Sequence, residues 1–136
     1  MVQIDVSYEG DLHCLIKHGP SGVTLTTDAP KDNMGKGESF SPTDLVAAAF
    51  GSCMITIMGI FAKRHGINLT GACVQVIKEM IQEPVRRIGR LTAIFKMPGG
   101  IDPKKREALE RAALTCPVHK SFHPDIEMPI KFEYPD

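Results

Sequence analysis

From Leu45 to Ala62 the chain carries no charged residue, and this run constrains the fold more than any other feature. Ser41-Pro42-Thr43-Asp44 stands before it as a helix start. Ser41 suits the N-cap, Pro42 the first helical position, and Asp44 can complete a capping box beside the positive helix end. Lys63-Arg64-His65 complement the other end of the dipole, and Gly66 is the stop. An all-round apolar helix must be buried in something. The run is nearly as long as a bilayer span, which takes about 20 residues. It is single, however, and it holds Gly51, Ser52, Thr56 and Gly59 beside Ala47, Ala48 and Ala49. Such small residues suit a central helix closely surrounded by protein, and in a chain of 136 residues a second subunit is a plausible cover.

The remaining pattern places strands and helices around this helix. Val2, Ile4, Val6 and Tyr8 alternate with polar residues as a half-buried strand does. Leu12 to Lys17 and Val23 to Thr27 read as two more strands, separated by His18-Gly19-Pro20-Ser21-Gly22. Residues 29–39 read as a loop. Leu69 to Ile81 and Ile88 to Met97 form a predicted hairpin around Glu83-Pro84. Asp102-Pro103 opens a helix to about Thr115; Cys116-Pro117 interrupts it, with Cys116 placed to cap a short helix through Phe122. Ile126 to Tyr134 is the last strand. The order predicts one α+β domain over residues 1–136.

Charge and composition narrow the function. Sixteen basic and 16 acidic residues give zero net charge, which disfavours a general nucleic-acid or membrane-surface binder. MVQIDVSYEG has neither the basic nor the apolar region of a signal peptide, so the expected location is the cytoplasm. Structural disulfides are rare in that reducing compartment, so the four cysteines need another explanation.

The cysteines differ in setting. Cys53 falls mid-helix, on a stripe with Val46, Phe50, Ile57 and Ile60. There it reads either as a small buried hydrophobe or as a reactive thiol whose activating partner lies elsewhere in the chain. Cys116 precedes a helix start, where free N–H groups favour a thiolate, and His119 and Lys120 can add positive charge. A purely capping role is the alternative. Cys14 and Cys73 lie in strands and read as core packing. Cys116-x-x-His119 could be half of a metal site, but no second pair stands at ligand spacing, so no metal or cofactor is expected. Arg86-Arg87 and Lys104-Lys105-Arg106 read as solvated surface.

Three stretches resemble the OsmC/Ohr family of small bacterial thiol peroxidases. They are Tyr8-Glu9-Gly10-Asp11-Leu12, the segment from Ser41 to Cys53, and Cys116-Pro117-Val118-His119-Lys120-Ser121. The middle one is the most specific, joining a Pro-opened helix to a mid-helix cysteine. The resemblance implies an OsmC-like fold: antiparallel sheets around a long central helix, in an intertwined homodimer. It implies catalysis by Cys53 and Cys116. Cys53 would attack an organic hydroperoxide and become a sulfenic acid; Cys116 would condense with it to a disulfide; an external dithiol would reduce the pair.

The match departs from the family at one place. In the organic-hydroperoxide branch a glutamate follows the helix-opening proline and pairs with an arginine of the N-terminal strands. Here Thr43 holds that position, Asp44 comes next, about 100° around the helix, and residues 1–28 contain no arginine. Asp44, Thr43 and Arg87 are therefore the supporting candidates, with Lys17 and His13 as other possible partners. A non-enzymatic redox-sensing or small-ligand-binding dimer is the competing reading, and a metal-binding or thiol-transfer protein a third.

Overall fold

The computed structural model describes residues 1–136. The chain forms two compact units, Met1–Val46 and Ala47–Asp136. The first holds three antiparallel strands in sequence order: β1 (Ile4–Gly10), β2 (His13–His18) and β3 (Thr24–Asp28). Asp11 and Leu12 turn the chain between β1 and β2 with φ of 51° and 62°, a left-handed conformation uncommon for residues with a Cβ. After β3 the buried Asp28 carboxylate accepts from the Glu38 N–H at 3.1 Å, which ties back the loop expected over 29–39. That loop holds one short 3-10 turn, Lys31–Asn33.

Helix α1 (Pro42–Arg64) begins as its sequence dictates. The Ser41 hydroxyl accepts from the Asp44 N–H at 3.1 Å, and the Asp44 carboxylate accepts from the Ser41 N–H at 2.9 Å. Two of the orphan donors of the first turn are thus satisfied reciprocally. The helix is long and apolar enough to cross a membrane, but it carries a core stripe of Ala47, Phe50, Gly51, Met54, Met58 and Ala62. The expected stripe through Val46, Cys53, Ile57 and Ile60 is therefore displaced. Cys53 and Ile57 flank the core, and Ile60 is exposed. Gly51 explains the rotation: a Cβ there would come within 2.8 Å of a Val76 methyl. The glycine lets α1 approach β4 (Cys73–Ile81) closely.

β4 pairs antiparallel with β5 (Arg87–Lys96), as the hairpin reading required. Val74, Val76 and Met80 alternate inward, opposite Phe95, Ala93 and Ile88. β4 starts later than expected because Thr70-Gly71 still turns, Gly71 at φ 93°. β6 (Ile130–Glu133) adds to β5 in parallel, pairing Phe95 with Phe132, whose rings stack at 4.7 Å. Helices α2 (Pro103–Ala113) and α3 (Pro117–Ser121) precede it. Leu109 and Ala113 of α2 join Phe50, Met54, Met58, Leu91 and Phe95 in the closed core of this unit. Burial of each large side chain there is worth about 1.5–3 kcal/mol.

Two surface readings need correction. Cys73 is exposed, not core, because it occupies the outward position at the start of β4; Cys14 is half-buried. Arg106 is not plain solvated surface. Its guanidinium sits 4.2 Å from the Tyr134 ring centroid, donates to the Ile101 carbonyl and pairs with the Asp136 carboxylate at 2.8 Å. This clasp holds the C-terminus to α2.

Candidate active site

The fold brings Cys53 and Cys116 together. Cys53 projects from the middle of α1, half-buried at the edge of the core stripe. Cys116 is fully buried at the N-cap of α3, where the break between α2 and Pro117 places it. Its sulfur accepts the His119 N–H at 3.2 Å, as a capping side chain does. The two thiols are in hydrogen-bonding contact.

The electrostatics of Cys116 differ from the expectation of a thiolate-favouring helix end. Burial pushes its thiol up, and the hydrogen bond with Cys53 pushes the same way. The N–H groups of His119 and Val118 act downward, as helix-end donors should, but they do not prevail. Desolvation wins because a sulfur with no exposed surface loses its water along with its charge.

His119 also departs from the reading of it as a cation. Burial lowers its pKa first, and the neighbouring Lys120 charge lowers it further, so the imidazole is neutral at neutral pH. Its ring stacks on Phe50 at a centroid distance of 6.0 Å, and Phe50 packs against Phe122 at 5.6 Å. This aromatic group beside the cysteines has no single-residue signature; only the i−3 relation of Phe50 to Cys53 hints at it.

The supporting candidates lie at the start of α1 and on other elements. Thr43 and Asp44 belong to the first unit, where the Thr43 hydroxyl lies 3.2 Å from that of Ser41. His13 and Lys17 lie on β2. Arg87 opens β5 and donates to the Ile88 carbonyl at 3.2 Å. Burial, Cys53 and backbone N–H groups are what act on Cys116.

An apolar cleft of about 610 Å³ lies between α1 and α2 and is lined by neither cysteine. Its lining includes Ile57, one turn beyond Cys53, and Thr115, next to Cys116, together with Phe61, Ala108, Ala112 and Arg111. That volume is within the range of small-molecule sites.

A mid-helix thiol against a helix-capping thiol, on an α+β frame of two three-stranded sheets, defines a dithiol protein. The chain belongs to the OsmC-like protein family, whose family model matches residues 35–131. It is similar to a Psychrobacter arcticus protein described as an osmotic stress induced and detoxification response protein. The two are 41% identical over 98% of this chain and 96% of that one, with a TM-score of 0.91. An organic hydroperoxide resistance protein OsmC from Legionella pneumophila shares the fold at 15% identity and a TM-score of 0.78, covering 98% of this chain and 96% of that one. So does the organic hydroperoxide resistance protein OhrB of Bacillus subtilis, at 17% identity and a TM-score of 0.73 over 98% of both chains. No curated protein sequence matches this chain.

Proposed function

We propose that this protein is a thiol-dependent peroxidase that reduces organic hydroperoxides with Cys53 and Cys116. The contact between the two thiols carries the reading, because an intramolecular disulfide needs a second thiol within reach of the sulfenic acid. The environment of the pair supports the division of roles. Burial and the neighbouring Cys53 push the Cys116 thiol up, which suits Cys116 as the resolving thiol and Cys53 as the nucleophile.

In this mechanism the Cys53 thiolate attacks the terminal peroxide oxygen. The S–O bond forms as the O–O bond breaks, the alcohol leaves, and Cys53 becomes a sulfenic acid. The Cys116 sulfur then attacks Cys53, closing the disulfide and releasing water. An external dithiol returns both thiols by exchange. The apolar cleft beyond Ile57 suits the organic part of the substrate. Thr43 and Asp44 support the site by fixing the start of the helix that carries Cys53. The protein works as a homodimer in the cytoplasm.

Turnover of cumene and tert-butyl hydroperoxide with several dithiols tests this, comparing wild type with Cys53→Ser and Cys116→Ser. Both variants should lose turnover. A wild type that consumes no hydroperoxide while both thiols stay free would sink the reading. The protonated, buried Cys116 and Thr43 in place of the branch glutamate favour a second reading, a redox sensor. Slow formation of one disulfide without cycling would mark it.

A further inference from the structure

Two cysteines alone leave the protons of this chemistry without a carrier from sulfur to the leaving oxygen. Cys116 has no exposed surface, yet its proton must leave when the disulfide closes. Close by is the only buried side-chain nitrogen or oxygen with no hydrogen-bond partner, Nδ1 of His119. Such an orphan calls for an explanation. Two contacts fix the residue at the site. Its backbone N–H lies 3.2 Å from the Cys116 sulfur, and its ring stacks on Phe50, one helical turn before Cys53.

We propose that His119 is the proton-transfer group of the dithiol site, its Nδ1 taking the thiol proton and returning it to the leaving oxygen; this rests on the peroxidase reading above. Nδ1 holds no protein partner, so transfer runs through a bridging oxygen, that of the bound peroxide or a water. In the first step the Cys53 proton passes to Nδ1, the thiolate takes the terminal oxygen, and the imidazolium protonates the departing alkoxide. In the second, the Cys116 proton passes to Nδ1, sulfur attacks sulfur, and the imidazolium converts the leaving hydroxide to water. Each step leaves the imidazole neutral; two electrons pass from Cys53 to the peroxide oxygens in the first step, the second shares that oxidation between the two sulfurs, and no further reactant is needed.

The surroundings keep the ring in its neutral, proton-accepting form, although they also weaken it as a base. Phe50, which stacks on the ring, supplies no charge, the Cys116 sulfur accepts the backbone N–H of the same residue, and Lys120 is the cation that acts on the ring. Burial and that cation keep the imidazole unprotonated at neutral pH and ready to accept.

The test is the rate of Cys53–Cys116 disulfide formation against pH, driven in separate arms by tert-butyl hydroperoxide and by diamide. Wild type should hold its rate through neutral pH and lose it in acid as His119 protonates. His119→Gln and His119→Asn should be slower near pH 7 by about a hundredfold, the usual scale for one acid–base group. They should recover in alkali, as the thiols ionise unaided. Profiles parallel to wild type in both variants overturn the proposal. If neither variant folds, nitrogen NMR of the His119 ring in wild type decides. Its titration midpoint should move between dithiol and disulfide forms, and an unmoved midpoint overturns the proposal. A His119-dependent diamide profile without hydroperoxide consumption would sink the peroxidase reading and leave His119 as the proton acceptor. Hydroperoxide turnover with parallel profiles would do the reverse.

Discussion

The two units of this chain solve the burial problem differently. In Ala47–Asp136, α1, β5 and α2 enclose Phe50, Met54, Leu91, Phe95 and Leu109 with no exposed surface. In Met1–Val46, Ile4, Val6, Tyr8 and Leu25 are all exposed, Tyr8 by 67%. Val6 and Tyr8 alternate as strand residues that expect cover, yet the chain supplies none. A small sheet with its apolar side chains in water lacks the burial that would stabilise it. The difference teaches a division of labour. The second unit encloses a core beside the dithiol pair, and the first leaves most of its large apolar strand residues in water.

Substitution in the closed unit and in the open one should therefore read out differently. Phe95→Ala leaves a cavity where nothing can collapse, and it should cost about 3–5 kcal/mol in urea unfolding. Tyr8→Ser should cost the isolated chain about 0.5 kcal/mol or less but shift sedimentation towards a smaller species. Equal losses of stability at both sites, with sedimentation unchanged, would break the comparison. Gly51→Ala sharpens it within the second unit. The new methyl meets Val76 at 2.8 Å, so a loss of about 1–3 kcal/mol from overpacking should outweigh the gain in helix propensity. A more stable variant would show that the helix–strand approach is loose.

Next comes the junction. Asp44→Ala removes half of the reciprocal cap and should cost about 1 kcal/mol, measured by thermal unfolding. The smallest effect is electrostatic. The Cys116 thiol is raised in the fold, so above about pH 8.5 the unfolded chain releases a proton that the folded chain keeps. Stability should fall as pH rises through that range and on to the folded value. Cys116→Ala should flatten this limb relative to wild type, whatever its effect at neutral pH; an unchanged slope would contradict the burial of the thiol.

What was legible in the sequence was local. Ser41 with Asp44, Asp102 and Cys116 each cap the helix they were expected to cap, because capping depends on residues within one turn. The hairpin of β4 and β5 was legible from its turn and its apolar strands. The face of α1 was not, since a helix apolar all round offers no polar side to orient it. The close approach at Gly51 decided the matter, and that depends on Val74 and Val76 far along the chain. Arg106 reads as one more surface charge until Tyr134 and Asp136 come back to meet it. The juxtaposition of Cys53 and Cys116 came from the family resemblance. Pattern alone ranked Cys116 as the activated thiol, and burial reverses that ranking. His119 stood in view as a charge beside Cys116, but its neutrality follows only from the packing around it.

The central claim is that Cys53 and Cys116 form one reversible redox pair. Peptide mapping of the protein after one equivalent of tert-butyl hydroperoxide tests it most directly. The account predicts a single Cys53–Cys116 disulfide that a dithiol removes, and in Cys116→Ser a sulfenic acid trapped on Cys53 by dimedone. Oxidation directed to Cys14 or to the exposed Cys73, with Cys53 and Cys116 both left as thiols, would contradict it.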